Sequence, residues 1–152
     1  MTELTAAGRM DQAIREYIQA CNDGDISRIA ACLHTDAVHY YPNSPKIIGA
    51  STIATHFSKR VKDDGVSWTV DLTIVDPDRC MGVLEFTRFD GEGRLIRGAE
   101  LYVFEPNSFL IMELRPYFAA PVQVELPRQE LQDFDYAGRG YPTTRLTCLL
   151  AQ

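Results

Sequence analysis

The chain has 152 residues, a mass of 17.1 kDa and a formal net charge of −6. At that length one domain is expected, able to bury about 68–70% of its unfolded surface without disulfides or metal. With 45% hydrophobic and 24% charged residues it is not collagen-like, disordered or low in complexity, and 21 acidic against 15 basic residues, with no Lys/Arg run, argue against nucleic-acid backbone binding.

The first predicted helix runs from about Met10 to Asn22, with Ile14, Tyr17, Ile18 and Cys21 at i, i+3, i+4, i+7 on one face. Gly24 offers a C-cap, and Asp25 can cap a second helix on which Ile26, Ile29, Ala30 and Leu33 repeat the spacing. The two form a helical hairpin. Asp36 to Tyr41 reads as a short strand ended by Pro42-Asn43-Ser44-Pro45. A third helix follows from about Ser51 to Asp63, its buried stripe marked by Ile53, Phe57 and Val61, and Asp63-Asp64-Gly65 ends it.

The remainder reads as strands. Trp68, Val70, Leu72 and Ile74 alternate with Thr69, Asp71 and Thr73, as in a half-buried strand. Arg79 to Phe89, Leu95 to Phe104 and Phe109 to Phe118 follow, joined by Asp90-Gly91-Glu92-Gly93 and Glu105-Pro106-Asn107-Ser108. In the last strand Leu110, Met112, Leu114, Pro116 and Phe118 share the expected core face. Ile111, Glu113, Arg115 and Tyr117 share the outer one, a mixed set suited to an isologous homodimer interface. Helices first and an antiparallel meander after them predict an α+β domain with helices on one face of a curved sheet.

Glu16-Tyr17-Ile18-Gln19 through Asn22-Asp23-Gly24-Asp25-Ile26 is similar to the first helix and turn of ketosteroid isomerase, and Leu33-His34-Thr35-Asp36-Ala37 to Pro42 to its first strand. Arg97-Gly98-Ala99-Glu100-Leu101-Tyr102 followed by Ile111-Met112-Glu113-Leu114 resembles the late hairpin of SnoaL-like proteins. The chain thus resembles, over about residues 9 to 118, the nuclear transport factor 2-like superfamily, which includes ketosteroid isomerase, scytalone dehydratase and SnoaL-type polyketide cyclases. The resemblance implies a cone-shaped α+β barrel, three N-terminal helices packed on a curved antiparallel sheet enclosing a pocket. It places the domain at 1–118 and leaves 119–152 as a C-terminal arm. That arm holds Leu126, Leu131, Phe134, Tyr136, Tyr141, Leu146, Leu149 and Leu150, too many apolar groups for a solvated tail. It is expected to cover the cone's mouth with Phe134, Tyr136 and Tyr141, or else to lie on the outer sheet or the neighbouring subunit.

By the same resemblance Tyr17 falls where ketosteroid isomerase has its oxyanion-hole tyrosine. Tyr41 stands at that enzyme's base position, which speaks against true ketosteroid isomerisation. Glu100 falls where SnoaL-type cyclases carry an acid/base aspartate. From the residues alone, Tyr17 is either a donor to substrate or a core tyrosine bonded to backbone. His39 shares a strand face with Tyr41 and is either a general base or a satisfied core histidine. Glu100 shares a face with Ile96, Gly98, Tyr102 and Phe104, and either enters the cavity or faces water or a partner. Asp71, Glu85, Glu113 and Arg115 read as outer-face charges, His56 as the edge of the third helix, and His34 as the end of the second.

Cys21, Cys32, Cys80 and Cys148 form no C-x-x-C pair, and three scattered histidines give no metal-ligand spacing, so neither metal nor cofactor is expected. The start, MTELTAAGRMDQ, lacks a basic segment followed by an apolar stretch, and no run reaches the ~18 apolar residues of a membrane span. A cytoplasmic protein with free thiols, no membrane contact and no nucleic-acid partner is expected.

The expected function is cofactor-independent acid–base catalysis on a small apolar or aromatic carbonyl or hydroxyl compound: isomerisation, elimination, cyclisation or hydrolytic ring opening. Glu100 or His39 would move the proton, and Tyr17 and Tyr41 would donate hydrogen bonds. Phe57, Trp68, Met112, Leu114, Pro116 and Phe118 would line the pocket. The alternatives are a non-catalytic small-ligand-binding protein and a dimerising interaction module of the same fold.

Overall fold

The computed structural model describes residues 4–119, 130–140 and 143. Helix α1 (Ala6–Asp23) starts at Thr5, whose hydroxyl accepts from the Gly8 N–H, and stops at Gly24, which takes the left-handed conformation (φ 63°) that a side chain would oppose. Its buried stripe includes Met10, Ile14, Tyr17, Ile18 and Cys21. Helix α2 (Ile26–Ala31) is capped by Asp25 and is shorter than its spacing suggests, because Leu33 already belongs to strand β1 (Leu33–Tyr41). His34 is therefore a strand residue, its Nδ1 accepting from the Asp36 N–H. Strand β2 (Ser44–Ile48) follows a two-residue turn at Pro42-Asn43, where Asn43 has φ 52°. The sequence reading has no strand there, since SPKII is short and opens beside a proline. Helix α3 (Ala50–Asp64) buries Ile53, Ala54 and Phe57.

Strands β3 (Ser67–Asp76), β4 (Met81–Phe89), β5 (Leu95–Phe104) and β6 (Ile111–Phe118) form an antiparallel meander within a six-stranded sheet of order β2-β1-β6-β5-β4-β3. Beside β6 lies β1, and that pair is parallel, so the sheet is mixed and not wholly antiparallel. It curves without closing: β2 and β3 are free edges, and the three helices pack on its inner face.

Two irregularities move side chains between faces. In β3 the register shifts between Val70 and Leu72. Trp68 and Val70 stay on the core side, but Leu72 and Ile74 are turned outward, 52% and 62% exposed. A single inserted residue inverts every later position of a strand. In β6 the shift lies opposite Val103 and Phe104. It buries Ile111 completely and leaves Met112 exposed, the reverse of the expected assignment. Leu114, Pro116 and Phe118 keep their inward direction.

The arm does not cover the mouth with its described aromatic residues. The β1–β6 ladder runs to His39 and Leu114, and Pro116 beyond has no N–H to offer. There Leu131 bridges Pro42, the Gln132 N–H donates to the Tyr41 carbonyl at 2.9 Å, and the Asn43 N–H donates to the Glu130 carbonyl at 3.1 Å. Leu131 and Phe134 then bury against Tyr40 and Val38, on the side of β1 opposite His39 and Tyr41. The Phe134 ring lies between two guanidiniums, Arg115 at 4.6 Å and Arg139 at 4.3 Å, and both arginines bind Glu113. Burial raises the Glu113 carboxyl, but Arg139 and Arg115 outweigh it and hold it below its ordinary value. Tyr136 packs with Phe134, whereas Leu126, Tyr141, Leu146, Leu149 and Leu150 lie outside the described residues.

Gly98 shows how closely β5 meets its neighbours. A Cβ there would sit 2.6 Å from Phe86 Cζ and 2.7 Å from the Tyr117 carbonyl oxygen, and backbone cannot step aside as a side chain can. Gly98→Ala is expected to destabilise the fold by about 1–3 kcal/mol. Urea unfolding with an unchanged m-value would measure it, and an unchanged midpoint would contradict it.

Candidate active site

A cavity of about 360 Å³ opens between the helices and the inner face of the sheet. Tyr17, His39, Tyr41 and Glu100 all line it, as do Phe57, Trp68, Pro116 and Phe118. Met112 does not, because the β6 irregularity turns it outward, and Leu114 lies beneath the cavity wall as a fully buried core residue. His56, Arg60 and Arg88 also reach the cavity, and sequence reasoning did not place them there. Alternation could have found Arg88, which follows Leu84 and Phe86 on the inward face of β4.

His39 comes from β1 and Glu100 from β5, with β6 between them in the sheet. Curvature lets the two side chains meet across β6: His39 Nε2 lies 3.2 Å from Glu100 Oε1. The Tyr102 hydroxyl donates to the other carboxylate oxygen at 2.5 Å. Burial first, and then the charge of Glu100, push the Tyr102 phenol well above its ordinary value, so it remains a donor. A carboxylate only accepts, so the contact is a hydrogen bond in the His39 tautomer that carries its proton on Nε2. Nδ1 is buried and has no partner among the described residues. The imidazole is held between Tyr41, stacked at 4.3 Å, and Phe57 at 5.1 Å.

Tyr17 is 1% exposed and its hydroxyl has no oxygen or nitrogen partner among the described residues. The Cys21 thiol one turn along is a weak acceptor at best. Burial, then the neighbouring Cys21 and Glu100, raise the Tyr17 phenol well above its ordinary value. Tyr41 is raised likewise, first by burial and then by Glu100. Its hydroxyl lies 3.0 Å from His56 Nε2. His56 is lowered, by burial and then by the neighbouring His39 and Arg60, and so stays neutral at pH 7. Asn22 fixes the aromatic wall: its side-chain amide exchanges two hydrogen bonds with the Trp68 backbone, each 2.8 Å, locking the end of α1 to the start of β3.

Among the described residues no group of His, Cys, Asp and Glu has the arrangement of a metal site, and Cys21, Cys32 and Cys80 are free thiols. Cys148 lies outside the described residues. No described helix is long and apolar enough to cross a membrane.

Three helices on an open curved sheet, with a polar constellation at the bottom of an aromatic cavity, define a cone-fold protein with a small-molecule-sized pocket. The sequence matches the SnoaL-like domain over residues 14–108, well over half of the chain, and the chain belongs to that family. A protein of unknown function with cystatin-like fold from Methylobium petroleophilum PM1 is similar at 37% identity, with TM-score 0.85, over 89% of this chain and 91% of that one. An NTF2-like protein of unknown function from Cytophaga hutchinsonii ATCC 33406 shares the fold at 18% identity and TM-score 0.62, over 77% of this chain and 92% of that one. So does the epoxide hydrolase/cyclase-like enzyme SalBIII of pyran ring formation in salinomycin, at 14% identity and TM-score 0.61, over 72% of this chain and 90% of that one. No curated protein sequence gives a significant match.

Proposed function

We propose that the protein is an acid–base enzyme that uses its own side chains on a small apolar or aromatic carbonyl or hydroxyl compound. One observation carries the reading: a buried histidine 3.2 Å from a carboxylate that a tyrosine also holds, beside a second tyrosine whose hydroxyl has no partner among the described residues. In this arrangement His39 Nδ1 accepts the substrate proton, and Glu100 stabilises the imidazolium that results. This divides the labour that the sequence reading left between His39 and Glu100. Tyr17 donates to the oxygen on which negative charge develops. Tyr41 joins it when His56 carries its proton on Nε2, because that N–H then donates to Tyr41 and releases the phenolic proton toward the cavity. Proton abstraction of this kind serves isomerisation, elimination and cyclisation, and activation of a water by the same base serves ring opening. The likeness to a hydrolase/cyclase-like enzyme supports the last two. A cavity of about 360 Å³ speaks against a filled-cone interaction module.

Two measurements test the reading. Nitrogen-15 NMR of the histidine side chains should place the His39 proton on Nε2 in the unmodified protein and move it to Nδ1 in Glu100→Gln. Proton exchange α to the carbonyl, followed in D₂O over a panel of aryl ketones, should be accelerated by the protein and not by His39→Gln. A His39 tautomer unaffected by Glu100→Gln would defeat the pairing, and exchange equal in both proteins would defeat the catalytic role.

We propose a homodimer packed through the outer sheet faces and centred on β3 and β4. Glu113 is occupied by Arg139 and Arg115 lies against Phe134, whereas Leu72, Ile74 and Val83 form an exposed apolar group across β3 and β4. Light scattering at micromolar concentration should report twice 17.1 kDa, and Ile74→Asp should reduce it to the single-chain mass. A single-chain mass for the unmodified protein would end this assignment.

A further inference from the structure

Glu100 is the only carboxylate that lines the cavity among the described residues, and it is committed to His39 and Tyr102. Two guanidiniums line the same cavity, Arg60 from α3 and Arg88 from β4. Arg88 has no carboxylate partner among the described residues. Its guanidinium carbon lies 5.7 Å from the Phe118 ring centroid, and its Nε is buried without an acceptor among the described residues. Among the described residues Arg60 pairs only with Asp64, one turn along the same helix at 3.2 Å, an exposed pair of the kind that costs little to open. Burial, and then the charge of Arg60, make Arg88 less able to hold its proton, and they outweigh Asp90 and Tyr41, which act the other way. Leaving a guanidinium N–H buried and unmatched is costly, and an anion entering from solvent removes that cost.

The cavity is also graded from end to end. Tyr17 and His39 are each 1% exposed and mark its floor. The Arg60 side chain is 39% exposed and marks its rim. Between them stand aromatic walls, Phe57 against Trp68 and Phe86 against Phe118.

We propose that the substrate is a small carboxylic acid: its carboxylate is gripped at the rim by Arg88 with Arg60, its aromatic or alicyclic body fills the aromatic middle, and its reacting carbon faces His39 and Tyr17. A carboxylate matches the planar guanidinium fork with two parallel hydrogen bonds. The pocket thus discriminates by charge at one end and performs chemistry at the other. This deepens the acid–base reading by naming its substrate class, and it rests on that reading for the identity of the site.

The test needs no turnover. Trp68 is the chain's single tryptophan and lines the cavity, so its fluorescence reports occupancy directly. The probes are para-tert-butylbenzoate and para-tert-butylbenzamide, which share shape and differ in charge. The benzoate should quench Trp68 with an affinity at least about tenfold above that of the amide, the order of one well-placed charge-assisted hydrogen bond. Arg88→Met should abolish that preference, and Arg60→Met should reduce it. Arg88→Lys keeps the charge but loses the fork, so a weakened preference in that variant supports the proposal even if Arg88→Met fails to fold. Equal binding of the two probes, no quenching by the benzoate at millimolar concentration, or a preference untouched by Arg88→Lys and Arg60→Met would each overturn it. Loss of the acid–base reading would appear instead in the exchange assay, with probe binding intact.

Discussion

Glu100→Gln is expected to lower turnover by roughly 10²–10⁴-fold while leaving the protein folded, because it disables His39 and general base catalysis contributes about that much. Glutamine has the same shape, but its amide offers one acceptor oxygen where the carboxylate offers two. Tyr102 donates to one oxygen of Glu100 and His39 Nε2 lies 3.2 Å from the other, so in the glutamine variant one of the two faces the amide NH₂. If the amide NH₂ turns to His39, the imidazole moves its proton to Nδ1, the nitrogen that has to be bare to accept one. The charge that would stabilise the imidazolium is also gone. Steady-state rates with the compound found active in exchange, alongside circular dichroism, would measure the effect. Tyr102→Phe should give a smaller loss in the same direction, since it frees one carboxylate oxygen and leaves the His39 contact. Turnover within twofold of the unmodified protein in Glu100→Gln would remove this carboxylate from the mechanism.

Phe134→Ala is expected to produce the largest stability loss outside the main core, with turnover unchanged. The ring is 7% exposed, meets Tyr40 edge-on at 5.1 Å, and is flanked by the Arg115 and Arg139 guanidiniums. Truncating a buried phenylalanine costs about 3–5 kcal/mol, and here the lower end applies because the satellite cluster is small and can collapse. That corresponds to a fall in Tm on the order of 10 °C for a chain of this length. A thermal melt gives the first quantity and the exchange assay the second. Turnover lost from a stable protein would restore a lid-like role for the arm. Acid should loosen the same contact. The Glu113 carboxyl lies below its ordinary value of 4.5 in the folded protein. Its contribution to stability is therefore complete above 4.5 and is lost as pH falls through the depressed folded value.

What the sequence made legible follows the range of the interactions involved. The face holding Ile14, Tyr17, Ile18 and Cys21 rests on helical spacing alone, and it was read correctly. The inward direction of Glu100, left open by sequence, needs the regular antiparallel register that β5 keeps with β4 along its whole length. Strand faces failed where one residue was inserted: Leu72 and Ile74 in β3, and Met112 in β6, because no local pattern announces a bulge. The arm was misplaced for a related reason. Phe134 and Tyr136 suit a cavity mouth by composition, but Glu113 and Arg115, read as interface charges, are the partners that hold them on the outer face. His56 was assigned to a helix edge because its contact with Tyr41 depends on how α3 packs over β1, which spacing within α3 cannot show.

Because β6 lies between β1 and β5, the strand that completes the ladder is also the one that brings His39 to Glu100. The β3–β4–β5 meander joins neighbours in sequence and can form early. Strand β1 has to wait, since Leu33 pairs with Ile111 and closing so long a loop is slow in entropy even though its cost grows only gradually with length. During synthesis His39 therefore emerges long before Glu100, and the two are expected to meet only once β6 is in place. Until residue 111 has left the ribosome, the inner faces of β1 and β5 lack the strand that joins them. That intermediate is the form of this chain most open to aggregation, and a slow refolding rate should follow changes at Leu114 and Ile111 before it follows changes in the helices.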